Sequence, residues 1–495
     1  MYEQQYDVVI IGAGLGGLLS AAQLLQRGKR VAIVERLPHC GGRFTAKTYQ
    51  GAQISTGAVH MIPFGSSGVL ARMLRRLHIP HHFLDADVFA SFHVHGKQIR
   101  SRGLLGLFKV LGPRQFFWFT RIGYFMFLRR LPDNQRSLPF NQWLERHFDL
   151  KRNRELTAFF GCISRFALSL ELHQVSTEEV IQTTKNMLRF GAPGIVEGGC
   201  GALTGELVQR ILERGADLRL RFDVLQILQE DGQVTGVRVR NKANGEESLL
   251  LAPLVVSDIG PRATDALLHN RQITQAQVLK QQGQPVAAHS IAPSSGHEAI
   301  GLKVHVLSNV SLIPHKGIMY CLDTQRIAGM VQPTNCDPSL APPGKHLLIS
   351  HQVIQSDDIE EEKRLALADL RMMFGETFEQ HCRVLTTSAY RGEWPVNRIV
   401  QGADVPPTTA VQGLYLVGDA VKPSGYLMVE GVAQSVNHLL DLLDATDVGA
   451  RFISPRFIAP QFFAPNNRPR NVISPPSRLN ALRWLWQAPV NTRDS

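Results

Sequence analysis

The sequence of 495 residues predicts a protein of the α/β class, and three observations support this prediction. Residues 8–35 contain an apolar strand, a glycine-rich turn, a helix and a second apolar strand. Residues 413–418 form another apolar strand near the other end of the chain. Between these two regions, residues 302–307 and 346–353 have strand character, and residues 359–374 have the spacing of an amphipathic helix. The composition, 44% hydrophobic and 19% charged, is that of a globular protein of two or three domains.

The N-terminal region shows its elements in a regular order. Val8–Ile11 is a continuous apolar run, which is typical of a strand buried on both faces. Apolar residues then repeat at helical spacing until Gly28, where the helix is expected to end. Val31–Val34 predicts a second buried strand that ends in Glu35.

The glycines between the first strand and the helix fit a dinucleotide-binding turn. Gly12 permits the tight turn, Gly14 lets the backbone approach a pyrophosphate, and Gly17 lets the helix pack close to the strand. The helix N-terminus would face the phosphates. Glu35 can accept hydrogen bonds from a ribose hydroxyl pair and would repel a 2′-phosphate, which argues against NADP. This motif alone does not separate FAD from NAD.

Two further motifs favour FAD over NAD. Residues 36–45 read R-L-P-H-C-G-G-R-F-T, and residues 413–419 read G-L-Y-L-V-G-D. This combination resembles the flavoproteins with two dinucleotide-binding domains, and within them the phytoene desaturase, carotenoid isomerase and flavin amine oxidase group. The resemblance covers nearly the whole chain except the tail. It implies a resident FAD, a Rossmann-like FAD domain and an inserted α+β substrate domain.

The resemblance also implies roles for individual residues. Asp419 would reach the ribityl and pyrophosphate region of FAD, and a helix from about Gly431 would direct its N-terminus at the flavin pyrimidine edge. The backbone of Val224 would bind the adenine. The predicted cofactor-binding residues are Gly12, Gly14, Leu15, Gly16, Gly17, Glu35, Arg36, Gly41, Gly42, Arg43, Val224, Gly418, Asp419, Gly431 and Val432.

The catalytic residues are less clearly marked. In residues 54–60, I-S-T-G-A-V-H, Ser55 stands where the family often has an acid, which is a departure from a standard desaturase. His60, Lys303 and Tyr426 are weak catalytic candidates. The alternative for His60 is a structural histidine, and the alternative for Lys303 is a surface residue of its strand. No metal site is expected, because the paired histidines at 81–82 and 93–95 lack companions at ligand spacing.

The domain prediction divides the chain into discontinuous parts. The first insert is expected to be largely helical and aromatic, and the charged run of the 359–374 helix is expected to face solvent. The predicted FAD domain comprises residues 1–75, 195–285 and 385–450, the substrate domain residues 76–194 and 286–384, and a Pro/Arg-rich tail residues 451–495.

The predicted function is that of an FAD-dependent oxidoreductase. The insert is rich in Phe, Leu and Met, which suits a long apolar, isoprenoid or carotenoid-like substrate. Desaturation, saturation and double-bond isomerisation by hydride exchange with the flavin all remain open. The alternatives are an amine-oxidase-like enzyme and, from another class, a non-catalytic prenyl or lipid escort. The electron acceptor is left open.

The charge distribution adds expectations about partners and location. The net charge is +11, and much of it lies in residues 72–136 and in the tail, without a nucleic-acid-binding motif. Charges interrupt the aromatic stretch 103–130, so a membrane-spanning helix is not expected. The stretch is either a buried helix with snorkelling arginines or an interfacial helix, and the tail is a second candidate for membrane contact. Scattered cysteines and the absence of room for a signal peptide favour a cytoplasmic protein, with peripheral membrane contact left open.

Overall fold

A computed structural model describes residues 2–57, 59–101, 103–129, 131–149, 153–269, 301–390 and 405–453. Predictions for residues 270–300, 391–404 and 454–495 lie outside the described residues. They include the end of the second predicted FAD segment, the start of the second substrate segment, part of the third FAD segment and most of the C-terminal tail. The boundaries of the two domains stay a prediction.

The described residues contain both strands and helices, in runs of one type as well as in alternation. The strands are β1 (Tyr2–Gln5), β2 (Val8–Ile11), β3 (Val31–Glu35), β4 (Ala46–Tyr49), β5 (Ala52–Ser55), β6 (Phe83–Asp85), β7 (Ala90–Val94), β8 (Lys97–Ser101), β9 (Gly194–Val196), β10 (Asp217–Leu220), β11 (Phe222–Glu230), β12 (Gln233–Asn241), β13 (Glu247–Leu251), β14 (Val255–Ser257), β15 (Gly301–Ser308), β16 (Ile318–Cys321), β17 (Gly329–Val331), β18 (His346–Val353), β19 (Cys382–Tyr390) and β20 (Leu414–Leu416). The helices are α1 (Leu15–Gln26), α2 (Val69–Arg76), α3 (Gly103–Gly123), α4 (Asp133–Arg136), α5 (Phe140–His147), α6 (Arg154–Leu168), α7 (Thr177–Phe190), α8 (Gly199–Glu213), α9 (Pro261–Leu268), α10 (Ile359–Phe374), α11 (Glu376–His381) and α12 (Met428–Ile453).

A parallel sheet with the strand order β10-β3-β2-β14-β20 forms the centre of the nucleotide-binding part. Successive residues of β2 point to opposite faces. Val8 and Ile10 pack in a core with α1, α8 and α12, whereas Val9 and Ile11 pack in a core with the mixed sheet β1-β13-β12-β11. The continuous apolar run therefore forms a strand covered on both sides. This arrangement confirms the α/β class, and it brings the carboxyl ends of the parallel strands to one edge.

A mixed sheet of seven strands, in the order β19-β15-β18-β17-β16-β7-β8, forms the second large layer. It confirms the strands predicted over residues 302–307 and 346–353, and α10 confirms the helix predicted over residues 359–374. The first insert contains the predicted helices together with strands β6, β7 and β8.

The expectation that the charged run of α10 faces solvent was wrong for Glu362. This side chain is fully buried, and it accepts hydrogen bonds at 3.1 Å from Arg326 Nε and from Gln352 Nε2. Its position turns it towards the sheet, where a guanidinium partner offsets the cost of burying a carboxylate.

Candidate active site

The glycine-rich turn at the end of β2 has the geometry of a phosphate cradle. Gly12 has a φ of +95°, and a Cβ on Gly17 would overlap the carbonyl oxygen of Gly12. Helix α1 starts without a side-chain cap and without an acidic residue in its first turn. The N–H groups of Leu15 and Gly16 have no acceptor in the part of the chain that the structure describes. An uncapped helix N-terminus of this kind fits an anionic diphosphate.

Glu35 joins this turn to the end of β3. Its Oε2 accepts a hydrogen bond from the Ala13 N–H at 2.8 Å, and its Oε1 accepts one from the Leu37 N–H at 2.8 Å. Each carboxylate oxygen has a further lone pair, so the buried Glu35 keeps acceptor capacity for ribose hydroxyls. The adjacent Arg36 is exposed.

The G-G-R motif packs directly on the glycine turn. Gly41 donates its N–H to the carbonyl of Ala13 at 2.7 Å. The guanidinium of Arg43 pairs with the carboxylate of Asp419, which also accepts a hydrogen bond from Lys422 Nζ at 3.3 Å. The structure therefore brings together the two motifs that lie at opposite ends of the sequence. The pair joins the cradle to the segment that precedes α12.

The segment around Gly418 completes this edge. Gly418 has a φ of +100° and donates its N–H to Ser435 Oγ on α12 at 3.0 Å. Helix α12 begins at Met428 rather than near Gly431, because the Gly431 N–H already donates to the Leu427 carbonyl at 3.3 Å. The predicted residues Gly431 and Val432 thus lie in its first turns, where both are buried.

Val224 lies at the start of β11, close to the end of β3. Its register with β12 shifts between Val224 and Gln226, as expected at a β-bulge. The Arg221 N–H donates to the carbonyl of Leu37 at 3.2 Å, which holds this hairpin against the residues that follow Glu35. The adenine contact of the Val224 backbone stays a prediction.

Asp258 is a residue of this edge that the sequence prediction missed. Its Oδ2 accepts a hydrogen bond from the Gly17 N–H at 2.8 Å. A Cβ on Gly14, Gly16 or Gly418 would lie 2.5, 2.6 or 2.5 Å from its carboxylate oxygens. The carboxyl group therefore fills the space that these glycines leave free. The sequence signal that could have identified Asp258 is its position as an acidic residue directly after the apolar strand β14.

Burial raises the pKa of Asp258 to about 8. The nearby carboxylates of Asp419 and Glu35 contribute to this raised pKa, whereas the Gly17 N–H and the Arg43 guanidinium act against it. Asp258 is consequently mostly protonated at neutral pH and ionised in alkaline solution. An ionised Asp258 beside the cradle would repel an anionic diphosphate.

We therefore expect FAD affinity to fall as the pH rises above 8, by up to about tenfold per pH unit. The affinity falls rather than rises because Asp258 binds its proton below its pKa and loses it above. Loss of the proton adds a negative charge next to the diphosphate of FAD. The Asp258→Asn variant should bind FAD with a much weaker pH dependence. Fluorescence titration of the apoprotein with FAD between neutral and alkaline pH measures this effect. Equal pH dependence in both proteins would contradict it.

Lys303 is buried, so the alternative of a surface residue of its strand is wrong. Only 1% of it is exposed, because β15 is an inner strand between β18 and β19. Its Nζ donates hydrogen bonds to the carbonyls of Gly57 at 3.0 Å and Ser55 at 3.4 Å. Burial lowers its pKa to about 7. The amine can therefore bind or release a proton near neutral pH, next to the segment that follows the G-G-R motif.

His60 and Tyr426 have surroundings that favour structural roles. His60 is fully buried with a φ of +62°; its Nδ1 accepts from the Cys200 N–H at 3.3 Å, and its Nε2 donates to the Gln53 carbonyl at 2.9 Å. Burial lowers the pKa of His60 to about 4, so it is neutral with both nitrogens occupied. Tyr426 is half-buried and packs against the core around α1 and α12. Their catalytic roles stay predictions.

His305 is a second residue that the sequence prediction missed. It lies on the same face of β15 as Lys303 and is fully buried, and neither ring nitrogen has a hydrogen-bond partner among the described residues. Burial, assisted by Lys303 and His60, lowers its pKa to about 3. A neutral imidazole with a free donor and a free acceptor marks a place for a water or a ligand group. Within the described ranges, no three His, Cys, Asp or Glu side chains are placed to hold a metal ion.

The comparison with known families agrees with this geometry. Residues 15–435 match the family described as flavin containing amine oxidoreductase, and the chain belongs to this family. It is an FAD-dependent oxidoreductase, and the cradle, Glu35 and the Arg43–Asp419 pair fit that cofactor. Membership also disfavours the non-catalytic lipid escort.

Three similar proteins illustrate the relationship. An uncharacterized protein of Methanocaldococcus jannaschii is 31% identical over 437 residues, which cover 88% of this chain and 99% of that protein. The chloroplastic prolycopene isomerase of Daucus carota is 24% identical over 502 residues, covering 85% and 77% of the two chains. The crystal structure of an oxidoreductase from Methanosarcina mazei has a TM-score of 0.75 at 31% identity and covers 88% of this chain and 100% of that one.

Proposed function

We propose that this enzyme acts on a long hydrophobic substrate of the isoprenoid or carotenoid type, by desaturation, saturation or double-bond isomerisation. The observation that carries the proposal is the continuity between the buried polar residues of β15 and an aromatic core. Lys303 and His305 are followed on the same face by Leu307, which belongs to a large apolar core of the inserted segments. A substrate lying along this face would place its reacting carbons beside the polar residues and its apolar remainder among aromatic side chains.

Aromatic rings pack against one another in this core. Phe92 stacks on Phe159 with ring centroids 5.1 Å apart and on Tyr320 at 5.5 Å. Phe166 meets Tyr320 edge-on at 5.6 Å. Such rings complement the extended π-system of a polyene better than they complement a small polar amine.

The chemistry needs little more from the chain than orientation and proton control. Bound FAD supplies a hydride acceptor or donor. Lys303, with its pKa near 7, would hold or release a proton at Nζ, and His305 would orient a water or a substrate group. Burial of both residues excludes bulk water from the reacting atoms. The carrot relative, which is named a prolycopene isomerase, supports this substrate class.

Amine oxidation is the second candidate, and the buried Lys303 together with the family assignment favours it. The stretch 423–430 contributes one aromatic side chain, Tyr426, to the region before and at the start of α12. The resemblance to amine oxidases implies aromatic side chains beside the flavin. Trp394, the other aromatic residue considered for this role, lies outside the described residues. The choice between polyene and amine therefore depends on binding data.

A titration of the purified FAD-loaded protein tests the proposal. A polyene such as phytoene in mild detergent and a long-chain primary amine should be added separately, under anaerobic conditions. We expect the polyene to perturb the flavin absorption bands with saturation and the amine to leave them unchanged. Saturable perturbation and bleaching by the amine alone would overturn the proposal in favour of amine oxidation.

A further inference from the structure

The segment 103–129 combines a buried face with an unusually apolar exposed face, and we call it the basic aromatic surface. It comprises α3, which bends at Gly112 (φ 70°, ψ 170°), and the π-helical turn Tyr124–Leu128 that follows. Val110, Leu111 and Ile122 anchor it in the aromatic core of the insert. The sequence left open a buried helix or an interfacial one, and this half-buried position fits the interfacial alternative better.

The exposed face concentrates large apolar side chains. Ten large hydrophobic residues are exposed among those that the structure describes, and six of them lie in this segment. Scattered single apolar residues are normal on a protein surface, but a cluster marks an interaction site. The six are Leu105 (78% exposed), Phe108 (42%), Phe117 (58%), Tyr124 (54%), Phe127 (38%) and Leu128 (66%).

Positively charged residues are interspersed with these apolar residues along the segment. Lys109, Arg114, Arg121 and Arg129 are exposed, and residues 103–129 contain no Asp or Glu. The guanidinium of Arg121 lies 5.7 Å from the Trp118 ring centroid, and that of Arg129 lies 5.6 Å from the ring of Phe125. The half-buried rings thus hold the cations at the surface beside the exposed apolar groups.

We propose that the basic aromatic surface docks on an anionic lipid membrane. Exposed aromatic and aliphatic side chains would enter the boundary between headgroups and acyl chains, and the four cations would contact the anionic headgroups. No helix among the described residues is long and apolar enough to cross a membrane, so the segment would lie along the surface. A second copy of the chain is a poorer occupant, because a symmetric contact would face four cations with four others.

Vesicle flotation of the full-length, FAD-loaded protein tests this proposal. The vesicles consist of phosphatidylcholine alone or mixed with phosphatidylglycerol. We expect binding to the mixed vesicles at low salt and a loss of at least about tenfold at high salt or on neutral vesicles. The Phe117→Glu/Leu128→Glu variant should lose at least about tenfold in affinity for the mixed vesicles.

The matched control is Leu212→Glu/Met372→Glu, which changes two exposed residues elsewhere, 49% and 53% exposed. It should bind vesicles as the unmodified protein does, and both variants should retain FAD. Absence of binding to mixed vesicles, or equal loss in the two variants, would overturn the proposal. Conversion of a dimer into a monomer by the Phe117/Leu128 variant, without vesicle binding by the parent, would identify the surface as a subunit interface instead.

Discussion

The Gly17→Ala variant is expected to purify without FAD and to bind added FAD at least about a hundredfold more weakly, the equivalent of two lost amide–phosphate hydrogen bonds. The added methyl group would overlap the Gly12 carbonyl oxygen, which is backbone and cannot rotate away. Helix α1 would have to move away from β2, and the N–H groups of Leu15 and Gly16 would move with it. The overlap should also destabilise the fold by about 1–3 kcal/mol.

Gly205→Ala is the matched control for this prediction. Gly205 lies in α8, and a Cβ there meets no atom within 4 Å, so this variant should keep FAD and be as stable as the parent or more so. The bound flavin is measured by its absorbance relative to that of the protein, and folding by circular dichroism. A folded Gly17→Ala protein that retains stoichiometric FAD would show that the turn is not the cradle.

Replacement of Lys303 by Met should lower the rate of the chemical step by about a hundredfold to ten-thousandfold, the usual range for the loss of a general acid or base. This expectation rests on the proposed function. For desaturation, in which the neutral amine accepts a proton, the rate of the parent should rise with pH through about 7, the pKa of Lys303. The variant should show no such rise. Single-turnover measurements with the substrate identified by titration give both quantities.

Stability separates a chemical role of Lys303 from a structural one. Burial lowers the pKa of Lys303 below its ordinary value of 10.5, because the charged amine is disfavoured inside the folded protein. The buried lysine therefore lowers the free energy of unfolding at every pH below 10.5. Lys303→Met should therefore melt at the same temperature as the parent or higher at neutral pH. Lys316 is exposed, so the Lys316→Met variant is the control for the removal of a lysine that is not buried. A large fall in melting temperature, or an unchanged rate, would contradict the assigned role.

The cofactor half of the site is predictable from sequence because its physics is local. Gly12, Gly17 and Glu35 have roles set within one strand–turn–helix–strand unit, and spacing specifies that geometry. The joining of Arg43 with Asp419 is not local, and composition or periodicity contains no signal for it. The family resemblance placed both at the FAD, and the structure shows the ion pair itself.

The substrate half was less predictable because burial there depends on the whole sheet. Lys303 looks like a surface residue in its own strand, and only the inner position of β15 in a seven-stranded sheet explains why it is buried. His305 is a single polar residue within an apolar strand, and the sequence does not indicate that its ring nitrogens lack partners among the described residues. Asp258 belongs to the cofactor half, but its contact with the Gly17 N–H is not local in sequence. The start of α12 was misplaced because the preceding turn is irregular.

Product analysis with polyenes tests directly whether the enzyme acts on a carotenoid-like substrate. The FAD-loaded protein should be incubated with phytoene and with prolycopene, under oxidised and dithionite-reduced conditions, and the products separated by chromatography with absorbance detection. We expect a change in the number or geometry of double bonds with at least one polyene, and no such change with the Lys303→Met variant. Unchanged polyenes in every condition, together with oxidation of a long-chain amine by the same preparation, would contradict it.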